Sequence, residues 1–361
     1  MGNGKSRQIL NDLLSEIRRG TYDNGRSFPS EADLVARFGA ARETVRKAIG
    51  ELGRMGLVCR KKGVGTFVVK RTMKRSGLIG LLTPDASSAQ LFGDLLAQLS
   101  RLASANGFGV VVQQVPSGTV GETEVLVRRI AREMAVKGVE GVIFRPLVDE
   151  RLSKANREVL RIFRNAETPV VLIDSDACNP PERSACDLVA VDNVAAGRRV
   201  AEHLHERGRK RIAFMTLGNH LQNNANWRNR LFGVAGELAL RNVKAAVRSL
   251  TFLPDNKRQL RHLFETENSP DAIVCGNDET AAVLVMTLKS IGKRIPEDVA
   301  VVGFDDTAVA ASCEVPLTTV RQPTTLIAKT AFRTLLMRIA RPGEDPREIR
   351  LDAPLIVRAS T

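Results

Sequence analysis

Two sets of residues in this chain could do chemistry. The first is cationic: Arg42, Arg46 and Lys47 in ARETVRK, followed by Lys61 and Lys62 in CRKKGVG. Cations so spaced neutralise phosphates, and a guanidinium that reaches a base edge can read guanine through paired hydrogen bonds. The second set alternates carboxylate, amide and guanidinium. Thr83-Pro84-Asp85 follows LIGLL, Arg145 follows GVIF, Asp174 follows VVLI, Asn277 and Asp278 follow DAIVC, and Asp305 and Asp306 follow VAVVGF. Asp accepts and Arg donates in pairs to vicinal hydroxyls, so this set suits a small polyhydroxylated ligand. Trp227, the single tryptophan, sits near Arg228 and Arg230 and could offer an apolar face to a sugar ring. An Asp or Asn after a strand is equally a turn former or helix cap, and Asn277-Asp278 before ETAAVLVM fits that role too.

Other chemistries lack a constellation. The five cysteines are scattered without C-x-x-C spacing, His203 and His205 point to different faces of a helix, and His220 and His262 are isolated. There is no G-x-S-x-G or H-E-x-x-H. No catalytic residue, metal or cofactor is therefore expected. MGNGKS matches the tail of a phosphate loop and an acylation pattern, but no strand precedes it.

The elements that must position these residues divide the chain. Residues 1–76 hold 17 Lys and Arg against 7 Asp and Glu, while the other 285 hold 37 against 33. Most of the formal +14 charge thus sits in one fifth of the chain, as in an attached polyanion-binding module. Ile9, Leu13, Leu14 and Ile17 predict a helix from Ser6 to Gly20. Ser30 is the expected cap of a second helix ending at Gly39, and a third runs from Ala41 to about Met55. A hairpin should follow, with strands 57–60 and 66–69 around a turn at 61–65. Three helices and a hairpin make a winged helix-turn-helix. In the third helix Val45, Ala48, Ile49 and Leu52 share one face, leaving Arg42, Glu43, Thr44, Arg46 and Lys47 to enter a major groove with Arg37 nearby, while Lys61, Lys62 and Gly65 form the wing.

From Gly77 short apolar runs alternate with amphipathic helices expected near 89–106, 121–137, 150–165, 193–208, 228–241, 256–265 and 278–291. Continuous strand-like runs of this kind belong to parallel sheets covered on both faces. The length argues for two α/β lobes, and ligands of open parallel sheets bind beyond the carboxyl ends of the strands. The expected organisation is a DNA-binding domain at 1–70, a linker at 71–76 and a two-lobed domain at 77–361. No apolar run approaches the length of a membrane helix and the opening lacks a secretory core, so a cytoplasmic protein is expected.

FPSEADLVARFG, ARETVRKAIGELGRMGLV and GVGTFV resemble the GntR-type winged helix, with Ala41 where that family often has Ser. VEGVIF, TPVVLIDSD, VDNVAAGRRVAEHLHERGRKRIAFM, RLFGV and PDAIVCGNDETAAVLVMTLKSIGKRIPEDVAVVGFDD resemble the effector domain of LacI/GalR repressors. Together they are similar to arabinose-responsive repressors, which fuse the same two parts. The resemblance implies a periplasmic-binding-protein-like pair of lobes joined by three crossovers, with effector contacts at Asp174, Arg230, Asn277 and Asp305. The Asn-rich stretch from Leu221 to Asn229 departs from the family run. The expectation is a homodimeric regulator, a repressor in the first instance, that binds double-stranded operator DNA and answers to a small effector, a sugar before a purine. The rival readings are an architectural DNA-binding protein without effector and a sugar- or nucleotide-processing enzyme tethered to DNA.

Overall fold

The computed structural model describes residues 2–18, 21–22, 28–54, 58–61, 65–68, 76–84, 89–217, 224–241, 248–252 and 257–361. Two compact units emerge, Met1–Arg75 and Ser76–Thr361.

The first unit contains α1 (Gly2–Arg18), α2 (Glu31–Phe38), α3 (Arg42–Arg54) and an antiparallel pair, β1 (Val58–Lys61) with β2 (Gly65–Val68). α2 starts where the Ser30 hydroxyl accepts the Asp33 amide at 3.2 Å and the Asp33 carboxylate accepts the Ser30 amide at 3.0 Å, a reciprocal cap. It stops at Gly39, whose φ of 52° is left-handed. Ile9, Leu13, Phe28, Leu34, Val45, Ala48, Leu52 and Val58 are buried together, so the 3.6-residue pattern of all three helices closes one core. Two expectations need correction. α1 begins at Gly2 rather than Ser6, and Lys61 and Gly65 are paired strand residues rather than turn residues.

The second unit holds two six-stranded sheets. The first has the order β13-β7-β6-β5-β3-β4, with β3 (Leu78–Pro84), β4 (Gly109–Val115), β5 (Gly141–Phe144), β6 (Val170–Ile173), β7 (Asp187–Val191) and β13 (Glu348–Leu351), all parallel. The second has the order β14-β12-β11-β10-β8-β9, with β8 (Ile212–Leu217), β9 (Arg248–Phe252), β10 (Ala272–Cys275), β11 (Ala300–Asp305), β12 (Thr318–Arg321) and an antiparallel β14 (Leu355–Ile356). Every residue of GVIF, VVLI and AIVC is buried because helices cover both faces of each sheet. The covering helices are α4 (Ala89–Ala105), α5 (Val120–Val136), α6 (Ser153–Asn165), α7 (Asn193–Glu206), α8 (Ala225–Leu240), α9 (Lys257–Phe264), α10 (Asp278–Ser290), α11 (Ala308–Ser312) and α12 (Thr324–Ala340).

The chain passes between lobes three times, at 192, at 322–323 and at 352–354, since β7 and β13 lie in one sheet and β12 and β14 in the other. Backbone bonds lash these crossovers together: Asp192 N to Leu351 O at 2.9 Å and Arg321 N to Pro354 O at 2.9 Å. Strand β7 and everything after β11 had no counterpart in the expected elements. The helix expected near 228 starts at Ala225, because the Asn224 side chain accepts the Asn226 amide at 3.0 Å and caps it.

Helices α7 and α8 cross at two glycines. A Cβ on Gly197 would overlap the Arg230 carbonyl, and one on Gly233 would overlap the Val194 carbonyl. Both obstacles are backbone and cannot rotate away. Gly197→Ala is expected to cost about 1–3 kcal/mol by overpacking and to displace Arg230, which denaturant unfolding and effector binding would both report.

Candidate effector cleft and nucleic-acid interface

In the first unit α3 buries Val45, Ala48 and Leu52 and exposes Arg42, Glu43, Arg46 and Lys47, with Thr44 half-buried. Arg42 Nε and Arg46 Nη2 lie 3.3 and 3.4 Å from one oxygen of Glu31, at the start of α2. The two guanidiniums are 74% and 63% exposed while Glu31 is 15% exposed, so a sheltered carboxylate holds two arginines one turn apart on an open surface. Arg37 is occupied differently. Its guanidinium pairs with both Glu16 oxygens and lies 4.9 Å from the centre of the Phe38 ring. The Glu16 hydrogen bond holds the Arg37 proton more tightly than usual, and burial followed by the same carboxylate pushes the Tyr22 hydroxyl up to about 12. Arg37 therefore braces α2 against α1. Gly65 opens β2 at φ 135°, Lys61 closes β1, and Lys62 lies outside the described residues.

In the second unit a cavity of about 160 Å³ lies between the lobes at the strand ends. It is lined by Arg145, Asp174, Trp227, Arg230, Asn277 and Asp305 together with Asn226 and Gln322. Asp85 lies outside the described residues. Three carboxylate residues leave their strands in left-handed conformation, Asp174 at φ 73°, Asp305 at 110° and Asp306 at 54°. Such backbone costs about 1–3 kcal/mol per residue and collects at ligand sites.

The lobes contribute one carboxylate–guanidinium pair each. From the first, Arg145 Nε meets Asp174 at 2.9 Å. Burial works against the Arg145 charge, but Asp174 and then Asp305 outweigh it and the guanidinium stays protonated above its ordinary range. From the second, Arg230 is 4% exposed, donates to Asn193 Oδ1 at 2.8 Å and the Gly276 carbonyl at 2.5 Å, and approaches Asp305 at 3.5 Å. Its guanidinium also lies 4.4 Å from the Phe304 ring centre. Gln322 donates to Asp305 at 3.1 Å, and Asn226 reaches across the cleft to Asp174 at 2.8 Å. Trp227 packs against Gly276, where a Cβ would sit 3.0 Å from the indole. Asn277 combines both expected roles: it lines the cavity, and its oxygen caps α10 by accepting the Thr280 amide at 3.0 Å.

Asp278 and Asp306, also named at strand ends, serve structure instead. Asp306 is held by Arg321 and Arg358, each at 2.6 Å; burial opposes its charge, but these bonds keep it below the usual carboxylate range. Asp278 is fully buried, accepting Thr307 N at 2.7 Å and Thr319 Oγ1 at 2.5 Å. Burial raises its carboxyl to about 7 despite those bonds. Between the unfolded value near 3.8 and about 7 the folded state then binds the extra proton, so stability falls as pH rises through that window. In Asp278→Asn that contribution disappears. Wild type is expected to lose stability relative to the variant from about pH 4 to about pH 7, by at most about 1.4 kcal/mol per pH unit, in paired urea titrations.

Sequence reasoning missed Asn226 and Gln322. Asn226 is hidden in an asparagine-rich run. Gln322 follows β12, and recognising that strand would have flagged it by the same strand-end rule. Leu91, Phe92 and Leu95 line the cavity from α4 and carry no signal separable from core packing.

Residues 5–68 match the model of bacterial regulatory proteins of the gntR family, and residues 201–361 match that of the periplasmic binding protein-like domain. The chain joins a GntR-type head to a periplasmic-binding-protein-like domain. Similarity extends along its length to an arabinose metabolism transcriptional repressor of Geobacillus stearothermophilus, 27% identical over 366 residues, covering 98% of this chain and 96% of the relative. The fold is similar to that of the transcriptional regulator CelR solved with cellobiose, with TM-score 0.66, 23% identity and coverage of 92% of this chain and 100% of that one. It is also similar to the lac repressor dimer bound to operator and the anti-inducer ONPF, with TM-score 0.64, 22% identity and coverage of 80% and 95%. These similar proteins are transcriptional regulators. Among the described residues no helix is long and apolar enough to cross a membrane.

Proposed function

We propose that this chain is a sequence-specific repressor, a cytoplasmic homodimer on a two-fold operator, whose DNA affinity is set by a sugar bound between the lobes. The observation that carries the reading is the meeting of Arg145–Asp174 and Arg230–Asp305 from opposite lobes on one cavity beside Trp227. Carboxylate and guanidinium in fixed pairs match the donor and acceptor faces of vicinal hydroxyls, and an indole suits the C–H face of a ring. Occupancy that favours one arrangement of the lobes shifts the population of DNA-competent dimers by the difference in affinity for the two states. No catalytic step is assigned, since none of the cleft groups forms a nucleophile–base pair.

A thermal-shift panel of pentoses, hexoses, sugar acids and purines tests this, run on wild type and Asp305→Ala. A sugar that raises the melting temperature of wild type and not of the variant supports the reading; a purine acting alone in that way would refute the sugar assignment. On the DNA side, Arg46→Ala is expected to weaken operator binding by about 1–3 kcal/mol and relax discrimination between operator variants. It should leave folding within about 1 kcal/mol, since the pair it breaks is exposed. Fluorescence anisotropy on wild-type and substituted duplexes would measure the first effect and urea unfolding the second.

A further inference from the structure

A second cavity, of about 240 Å³, adjoins the first along Val148, Asn224 and Asn226, which line both. It lies between the loop after β6 and the start of α8, and its volume far exceeds the ~10–15 Å³ that admits one water. Its charged groups are already engaged. Asp176 accepts the Cys178 and Ser184 amides at 2.8 and 3.1 Å, Glu150 pairs with Arg228, and Arg183 and Arg350 both pair with Glu348. Among the neutral groups, Asn156 holds both the amide and the carbonyl of Leu147, Asn179 donates to the Glu150 carbonyl, Asn224 caps α8 and Asn226 is bound to Asp174, which leaves Ser175 and Asn229. Ser175 Oγ is buried without a hydrogen-bond partner, and the side chain of Asn229 makes no hydrogen bond to a described residue. Pro180, Pro181 and Leu147 supply apolar wall.

We infer that this cavity is a subsite for a second sugar ring, so that the effector is a neutral disaccharide or longer glycoside rather than a monosaccharide. A buried hydroxyl left unpaired costs free energy that a ligand hydroxyl would recover, since each can both donate and accept. An anionic group is disfavoured because Glu150, Asp176 and Glu182 line the space and its two guanidiniums are neutralised within the protein. The shared edge at Val148 and Asn224 lies between the two ring positions, where a glycosidic link belongs.

The inference rests on the sugar reading of the first cavity, and the test separates the two. Calorimetric titration of the full chain would compare arabinose, xylose, glucose and galactose with arabinobiose, xylobiose, cellobiose, maltose and lactose, using wild type, Ser175→Leu and Asp305→Ala. Asn229→Ala serves as a milder second variant should Ser175→Leu fail to fold. The expected result is a disaccharide bound at least tenfold more tightly than its component monosaccharide. Ser175→Leu should erase that advantage without changing monosaccharide affinity, Asn229→Ala should reduce it severalfold, and Asp305→Ala should lose both ligands. Equal affinity for one ring and two, or a disaccharide affinity indifferent to both subsite variants, would overturn the inference, leave the cavity to water and keep the sugar reading intact. Failure of every sugar to bind would overturn both.

Discussion

Arg230→Met is expected to abolish effector binding and to destabilise the two-lobed unit by about 3–5 kcal/mol. Arg230 is buried, and its guanidinium satisfies Asn193 Oδ1 and the Gly276 carbonyl while neutralising Asp305. Methionine fills much of the volume and supplies none of the donors, so a carboxylate, an amide oxygen and a carbonyl are stranded at once. Lysine should not rescue it. A single ammonium cannot reproduce the planar fork that spans three acceptors and lies over the Phe304 ring. Urea unfolding would read the stability loss, and calorimetry with the effector the loss of binding. A variant that unfolds like wild type would show that the Arg230 network adds little, and one that still binds sugar would remove Arg230 from the site.

A loss of similar size is expected from Arg338→Ala, at a residue that lines neither of the two cavities between the lobes. Arg338 on α12 meets both oxygens of Asp187, each at 2.8 Å, with side-chain exposures of 11% and 1%. It also donates to the Asp345 carbonyl at 3.0 Å, and Asp187 accepts the Arg347 amide at 2.9 Å. That bidentate pair pins the returning segment, α12 and the approach to β13, to β7 of the first sheet. Truncation takes the guanidinium away from the buried Asp187 carboxylate, a cost of about 3–5 kcal/mol. The double replacement Arg338→Met with Asp187→Leu should recover much of it, because removing both charges also removes their desolvation. Denaturant midpoints of the single and double variants would test this directly.

These two arginines show what the sequence could and could not disclose. Arg230 was legible because it stands in a motif near the single tryptophan. Arg338 was not, because its partner Asp187 is 151 positions away and opens a strand, DLVAV, that periodicity alone did not separate from its surroundings. The same contrast holds for the elements. GVIF, VVLI and AIVC announce buried parallel strands because water touches neither face. β13, EIRL, lies at a sheet edge with Glu348 and Arg350 exposed, and so carries no such run. In the head, Ser30 and Gly39 mark the limits of α2 through local chemistry, whereas the Glu31 bridge to Arg42 and Arg46 depends on how α2 and α3 pack. Strand-end logic led to Arg145, Asp174, Asn277 and Asp305 in the cavity lining, but it did not distinguish Asp305, at the cavity, from Asp306, held by Arg321 and Arg358. Both residues are left-handed, and the neighbouring side chains go to different partners, Asp305 to Gln322 and Arg230, and Asp306 to Arg321 and Arg358.

The most direct test of the account is linkage between the two functional surfaces. Operator affinity would be measured by anisotropy across a titration of the stabilising sugar, and sugar affinity measured separately with and without saturating operator. The account predicts that sugar changes operator affinity and that operator changes sugar affinity by the same factor, about 5–150-fold, with the effect absent in Asp305→Ala. A sugar that binds tightly in the cleft yet leaves operator affinity unchanged would contradict it, because equal affinity for both states shifts nothing.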